Sequence, residues 1–101
     1  MDLRPEQQLA VRQAIQQYLQ APRFPCYPPC LVDMARRLEV LPVYSDMGGT
    51  LFIRPTGEVL VCVGDSETNI SVESNPRWIT IAYVHAAGLY PSLAFLLPPR
   101  G

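Results

Sequence analysis

LPVYSDMGGTLFIRPTGEVLVCV, residues 41–63, holds two runs rich in β-branched and aromatic residues on either side of Arg54-Pro55-Thr56-Gly57. Pro55 presets φ to about −65° at the start of a tight turn, and Gly57 supplies the positive φ at its exit. The pattern therefore predicts a β-hairpin in which residues 50–54 pair antiparallel with residues 58–63. A hairpin between segments of helical periodicity indicates an α+β fold.

The segment before the hairpin predicts two helices and a strand. Pro5 to Gln20 repeats apolar residues at the helical spacing of three and four. Ala21 to Cys30 is proline-rich and is expected to be an extended connector, followed by a second helix from about Pro29 to Leu38. Leu41 to Tyr44 is expected as a strand, and Gly48-Gly49 lets the chain reverse into the hairpin.

The segment after the hairpin predicts a short third strand through Ile70 and Val72, and then a C-terminal helix. Asn75-Pro76 is a good helix start, with Asn as the cap and Pro at the first position. Residues 78–84 would also serve as a strand by propensity, but helix is the preferred interpretation. Gly88 is expected to close this helix, and Leu89 to Leu97 would form one more short helical piece. The expected architecture is thus N-terminal helices, a central hairpin or three-stranded sheet, and a C-terminal helix.

The length and composition of the chain predict a single domain, residues 1–101. The chain is 49% hydrophobic and only 17% charged, below the roughly 25% charged residues of an average soluble domain. Some apolar surface is therefore expected to be exposed or covered by a partner. A net charge of −1 and the absence of any basic cluster larger than Arg36-Arg37 argue against a nucleic-acid partner.

No apolar run reaches the length of about 18 residues that spans a bilayer, and the N-terminus does not resemble a signal peptide. These observations predict a cytoplasmic protein with no membrane partner. Three cysteines, Cys26, Cys30 and Cys62, are an odd number and fit reduced thiols.

The sequence gives only weak indications of a metal site or a catalytic site. Cys26, Cys30, Cys62 and His85 are four residues of the zinc-ligand type, but two prolines separate the first pair and the others lie in apolar runs. A Cys/His hydrolase would depend on His85 alone as the base. The prediction is therefore a protein with no metal, no cofactor and no enzymatic activity.

Leu41-Pro42, Tyr44, Gly48-Gly49, Leu51, Ile53 and Gly57-Glu58-Val59, followed by Trp78, resemble a short version of the SMI1/KNR4 (SUKH) superfamily pattern. The resemblance covers residues 41–84. It implies helices combined with an antiparallel sheet. It also implies a bacterial immunity protein that neutralises a cognate toxin by binding it, without catalysis.

Three classes of function follow: a protein-binding module, a self-associating subunit that forms a homodimer, and a small enzyme or metal protein. The first is preferred, because few charges and a sheet strand apolar on both faces suit protein pairing. Its partner surface is expected around the hairpin, and the alternative for each candidate residue is an ordinary solvated turn residue. The candidates are Tyr44, Asp46, Arg54, Asp65 and Glu67. Val59, Val61 and Trp78 are expected in the core.

Overall fold

The structure, a computed structural model, describes residues 2–22, 31–46, 48–64 and 67–98. Within these ranges, helices flank a four-stranded antiparallel sheet, which confirms the α+β class. The helices are α1 (Pro5–Gln20), α2 (Leu31–Leu38) and α3 (Pro76–Leu89), with 3₁₀ helices at Glu67–Asn69 and Pro91–Leu96. The strands are β1 (Leu41–Asp46), β2 (Gly49–Ile53), β3 (Val59–Val63) and β4 (Ile70–Val72). The connector predicted over residues 21–30 lies outside the described residues beyond Pro22.

The central hairpin forms as predicted. β2 and β3 pair antiparallel, with Ile53 opposite Val59 at the turn. The Arg54 N–H donates to the Glu58 carbonyl (2.9 Å), and the Gly57 N–H donates back to the Arg54 carbonyl (2.8 Å). Gly57 has a φ of 95°, in the region that favours glycine. The turn residues therefore specify this hairpin locally.

The sheet has the order β1-β2-β3-β4 and is covered by helices on both faces. One face, which we call the α1/α3 face, carries Leu51, Ile53 and Val59 against residues of α1 and α3. The other face, the α2 face, carries Phe52, Leu60 and Cys62 against α2. This arrangement explains why β3 is apolar at nearly every position.

A β-bulge in β1 decides the direction of one aromatic side chain. Pro42 pairs with Phe52, but Tyr44 pairs with Leu51, so Val43 is the extra residue. Without the bulge, Tyr44 would lie on the same face as Pro42, because strand side chains alternate. The extra residue moves Tyr44 to the α1/α3 face, where it packs against the core.

Helix α1 has the bounds that the sequence predicted, and its buried residues are Val11, Ala14, Ile15 and Tyr18. Leu9 is 52% exposed, because it lies on the opposite side of the helix from Val11 and Tyr18.

Helix α3 confirms the helical interpretation of residues 78–84. The Asn75 side chain caps it by accepting from the Arg77 N–H (2.9 Å). The predicted end at Gly88 is wrong, because the helix continues to Leu89 and Tyr90 is its C-cap. The expected burial of Trp78 is also wrong: it is 37% exposed, at the border of a buried face formed by Ala82, Tyr83 and Ala86.

Candidate functional site

The two ends of the β2–β3 hairpin differ in their surroundings. The end with the turn at residues 54–58, which we call the clamped end, is held by two other parts of the chain. The Tyr83 hydroxyl of α3 donates to the Gly57 carbonyl (2.7 Å), and the Leu3 N–H donates to the Thr56 carbonyl (3.4 Å). Burial of Tyr83 raises the pKa of its hydroxyl, because the phenolate would lose water. This end of the hairpin is a structural anchor.

The opposite end of the hairpin, which we call the open end, leads into a surface cavity of about 320 Å³. Its floor is the α1/α3 face of the sheet, formed by Leu51 of β2 and by Val61 and Val63 of β3. Burial decreases along β3 towards this end: Val59 is 2% exposed and Val63 is 57% exposed. The sheet therefore presents apolar side chains to solvent here, on paired strands. We call this the open-end cavity.

Two aromatic rings form a wall of the open-end cavity. Tyr44 of β1 and Trp78 of α3 both line it, with ring centroids 6.5 Å apart and an interplanar angle of 49°. The Tyr44 ring also contacts His85, at 4.6 Å between centroids. Trp78 and His85 are two helical turns apart, so both can reach the same strand residue. The bulge in β1 and the packing of α3 on that strand together create this cluster.

Two carboxylates stand at the rim of the open-end cavity. Asp46 ends β1, and Glu73 follows β4. Both the backbone and the side chain of Glu73 are hydrogen-bonded. Its N–H donates to the Val59 carbonyl (2.8 Å), and its Oε1 accepts from the Asn75 N–H (2.9 Å). Among the described residues that line this cavity, none is basic. The cavity thus combines an apolar floor, an aromatic wall and negative charge.

The predicted site residues divide between the two ends of the hairpin. Tyr44 and Asp46 line the open-end cavity, whereas Arg54 lies at the clamped end and forms an ion pair with Glu58 (2.6 Å). Arg54 lines a separate cavity of about 620 Å³, which Glu73 also borders. Asp65 lies outside the described residues. Glu67 begins a 3₁₀ helix, and its side chain lies outside the described part of the structure.

Among the residues that line the open-end cavity, only Tyr44 and Asp46 were predicted as site residues from the sequence. Trp78 was assigned to the core, and Glu73 and Val63 were not considered as site residues. The alternation of valines in β3 was visible in the sequence, but it could not show which valine lies beyond the covering helix. Glu73 reaches the cavity because of β-sheet pairing and the turn before α3, and no local motif indicates that.

The residues considered for metal or cysteine chemistry are not assembled in the described part of the chain. Cys62 is buried on the α2 face, with its Sγ 3.8 Å from the Gly64 carbonyl oxygen. His85 is exposed and contacts Tyr44 on the other face of the sheet. Cys26 and Cys30 lie outside the described residues. Residues 2–22, 31–46, 48–64 and 67–98 contain no group of three His, Cys, Asp or Glu residues placed to hold a metal ion.

Comparisons with known proteins leave the site to be interpreted from its own chemistry. No protein-family model, curated protein or solved structure matches the chain. None of the helices in the described ranges has the length and apolar character needed to cross a membrane.

Proposed function

We propose that this chain is a non-catalytic protein-binding module whose partner surface is the open end of the hairpin. One observation carries the proposal: Trp78 and Val63 are exposed beside a cavity whose floor is a hydrogen-bonded sheet. Aromatic side chains partly buried next to a pocket are typical of the residues that contribute most to protein–protein affinity. The carboxylates of Asp46 and Glu73 at the rim would select a partner of complementary charge.

The most specific version of this proposal is an immunity protein that binds and neutralises a toxin. Its support is the location of the residues that carry the SUKH resemblance. Five of them line the open-end cavity: Tyr44, Gly48, Gly49, Leu51 and Trp78. The partner would then be a toxin protein that presents a basic surface to this end of the sheet.

A crosslinking experiment tests the partner surface. A photoreactive amino acid is placed at position 78 in the native host, with position 9 as the control, because Leu9 is exposed on α1 and does not line the cavity. We expect one protein to be crosslinked from position 78 and not from position 9. The identified protein is then purified, and its Kd is measured for the wild type and for the charge reversals Asp46→Lys and Glu73→Lys. Equal crosslinking from both positions, or an unchanged Kd in both reversals, would contradict the proposed surface.

A second candidate is self-association, and one feature of α3 favours it. Thr80, Val84 and Gly88 follow each other at intervals of four residues and are all exposed, so they form one stripe along the helix. Light scattering coupled to size-exclusion chromatography measures the oligomeric state directly. A dimer that dissociates in Val84→Asp but not in Asp46→Lys would favour a homodimer through α3.

A further inference from the structure

We propose that the open-end cavity binds an arginine side chain of the partner protein. The inference rests on the proposed function and adds the chemistry of recognition. The open-end cavity has a volume of about 320 Å³, at the small end of the range of ligand sites, about 300–1,000 Å³. A space of this size suits one long side chain better than a folded segment of peptide.

The aromatic wall is the first reason for a cationic occupant. The faces of Trp and Tyr rings carry negative electrostatic potential and attract cations within about 6 Å of the ring centroid. Tyr44 and Trp78 are inclined to each other at 49° with centroids 6.5 Å apart, so one guanidinium can lie against one ring and near the other. A planar guanidinium stacks on such a ring, whereas an ammonium group interacts as a point charge and stays more strongly hydrated.

The carboxylates are the second reason. Asp46 is the last residue of β1, one edge strand of the described sheet, and Glu73 follows β4, the other edge strand. Adjacent strands are about 4.8 Å apart, so the two edge strands are separated by about 14 Å. Asp46 is level with Val63 and Glu73 with Val59, so the two residues are also offset along the strands. A single guanidinium therefore pairs with one carboxylate at a time. Glu73 is the better candidate, because its hydrogen bond from the Asn75 N–H (2.9 Å) already holds the carboxylate in place.

The apolar floor is the third reason. Val61 and Val63 are only partly covered, and they lie between the aromatic wall and the rim. The methylene groups of an arginine side chain cover such surface while the charged group reaches a polar rim. An anionic occupant would meet two carboxylates and no basic residue among the described lining. A neutral apolar occupant would offer no charge complementary to the two carboxylates.

The test uses N-acetyl-arginine-N-methylamide as the probe and the matching citrulline compound, which has the same shape and no charge, as its control. The chain contains a single tryptophan, so the indole N–H resonance of Trp78 reports on the cavity without ambiguity. We expect a saturable shift of this resonance with the arginine probe, which weakens as ionic strength rises. The citrulline compound should bind at least about tenfold more weakly, as expected from loss of a charge-assisted hydrogen bond.

Variants identify the groups that bind the probe, with amide shifts elsewhere in the protein as the check that each is folded. Glu73→Gln is expected to weaken arginine binding about tenfold and Asp46→Asn less, because an ionised acceptor is lost in each. Asp33→Asn, on the distant helix α2, should leave binding within about twofold, because exposed distant charges are screened. For the aromatic wall, Tyr44→Leu should weaken binding about fivefold and Tyr44→Phe should restore most of it.

The outcomes separate this inference from the proposed function. If the arginine and citrulline probes bind equally, or neither shifts the Trp78 resonance, the arginine inference is wrong even where crosslinking has identified a partner. If the arginine probe binds but no protein is crosslinked from position 78, the cavity recognises a cation that no protein partner supplies. The proposal that the arginine belongs to a partner protein is then wrong.

Discussion

The clamped end and the open end of the same hairpin are built from similar apolar residues, yet only one of them is covered. At the clamped end, Tyr83 and the N-terminal segment bond to the turn carbonyls. At the open end, Val63 is 57% exposed and borders a cavity. The difference shows that burial along β3 depends on which other elements reach it, not on the strand's own composition. A firmly held end can then support an exposed end that is available for binding.

The largest stability effect is expected from Gly49→Ala, at the open end. A Cβ atom at Gly49 would lie 2.5 Å from the Cys62 carbonyl oxygen, a backbone atom of the paired strand. The strands would have to separate locally, at a cost of about 2 to 3 kcal/mol. Chemical denaturation measures this change. Gly48→Ala is the matched control, since its Cβ position has no atom within 4 Å from the described residues other than its chain neighbours. Equal costs for the two variants would mean that the strand pairing at this end is looser than described.

A graded alanine series along β3 is expected to show the difference between the two ends directly. Val59→Ala should lower the free energy of unfolding by about 1 to 2 kcal/mol, through lost burial and a residual cavity. Val63→Ala should change it by less than about 0.5 kcal/mol, because exposed substitutions away from special features are nearly neutral. Val61→Ala should fall between them. A cost that does not decrease from Val59 to Val63 would contradict the proposed gradient of burial.

Tyr83→Phe should lower stability by about 1 kcal/mol at neutral pH, because the buried Gly57 carbonyl loses its donor. The pKa of Tyr83 is raised above its ordinary value of 10.0 by burial. The folded state therefore holds this proton more tightly than the unfolded chain, and the contribution is present below pH 10.0 and lost as pH rises through the folded-state pKa. The deficit of Tyr83→Phe should shrink in alkaline solution, as urea denaturation across that range will show. A deficit that is independent of pH would indicate that Tyr83 is not desolvated.

A small effect is expected at the Arg54–Glu58 ion pair of the clamped end. Both side chains are nearly half exposed, at 47% and 40%, and pairs of this kind contribute about 0.2 to 1 kcal/mol. Glu58→Gln should therefore cost less than about 1 kcal/mol, and the cost should decrease with added salt. Thermal unfolding at two salt concentrations measures it. A larger, salt-independent cost would mean that the ion pair, rather than Tyr83, holds this end of the hairpin.

The sequence by itself determined the elements whose signals lie within a few residues. Pro5 marks the start of α1, Gly57 permits the positive φ of the hairpin turn, and Asn75 caps α3. Each signal acts through the local backbone, so it could be interpreted without knowing the rest of the fold. The preference for helix over strand at residues 78–84 depended on the same kind of local cap.

Only the tertiary structure decided which of these residues form the candidate site. The bulge at Val43 moved Tyr44 to the side of the sheet where α3 packs, and strand pairing brought Glu73 near Val59. The position of α3 left Trp78 at the border of the core instead of inside it. The physical reason is that pattern and propensity specify which residues are apolar or helical, whereas exposure depends on contacts between segments far apart in the chain.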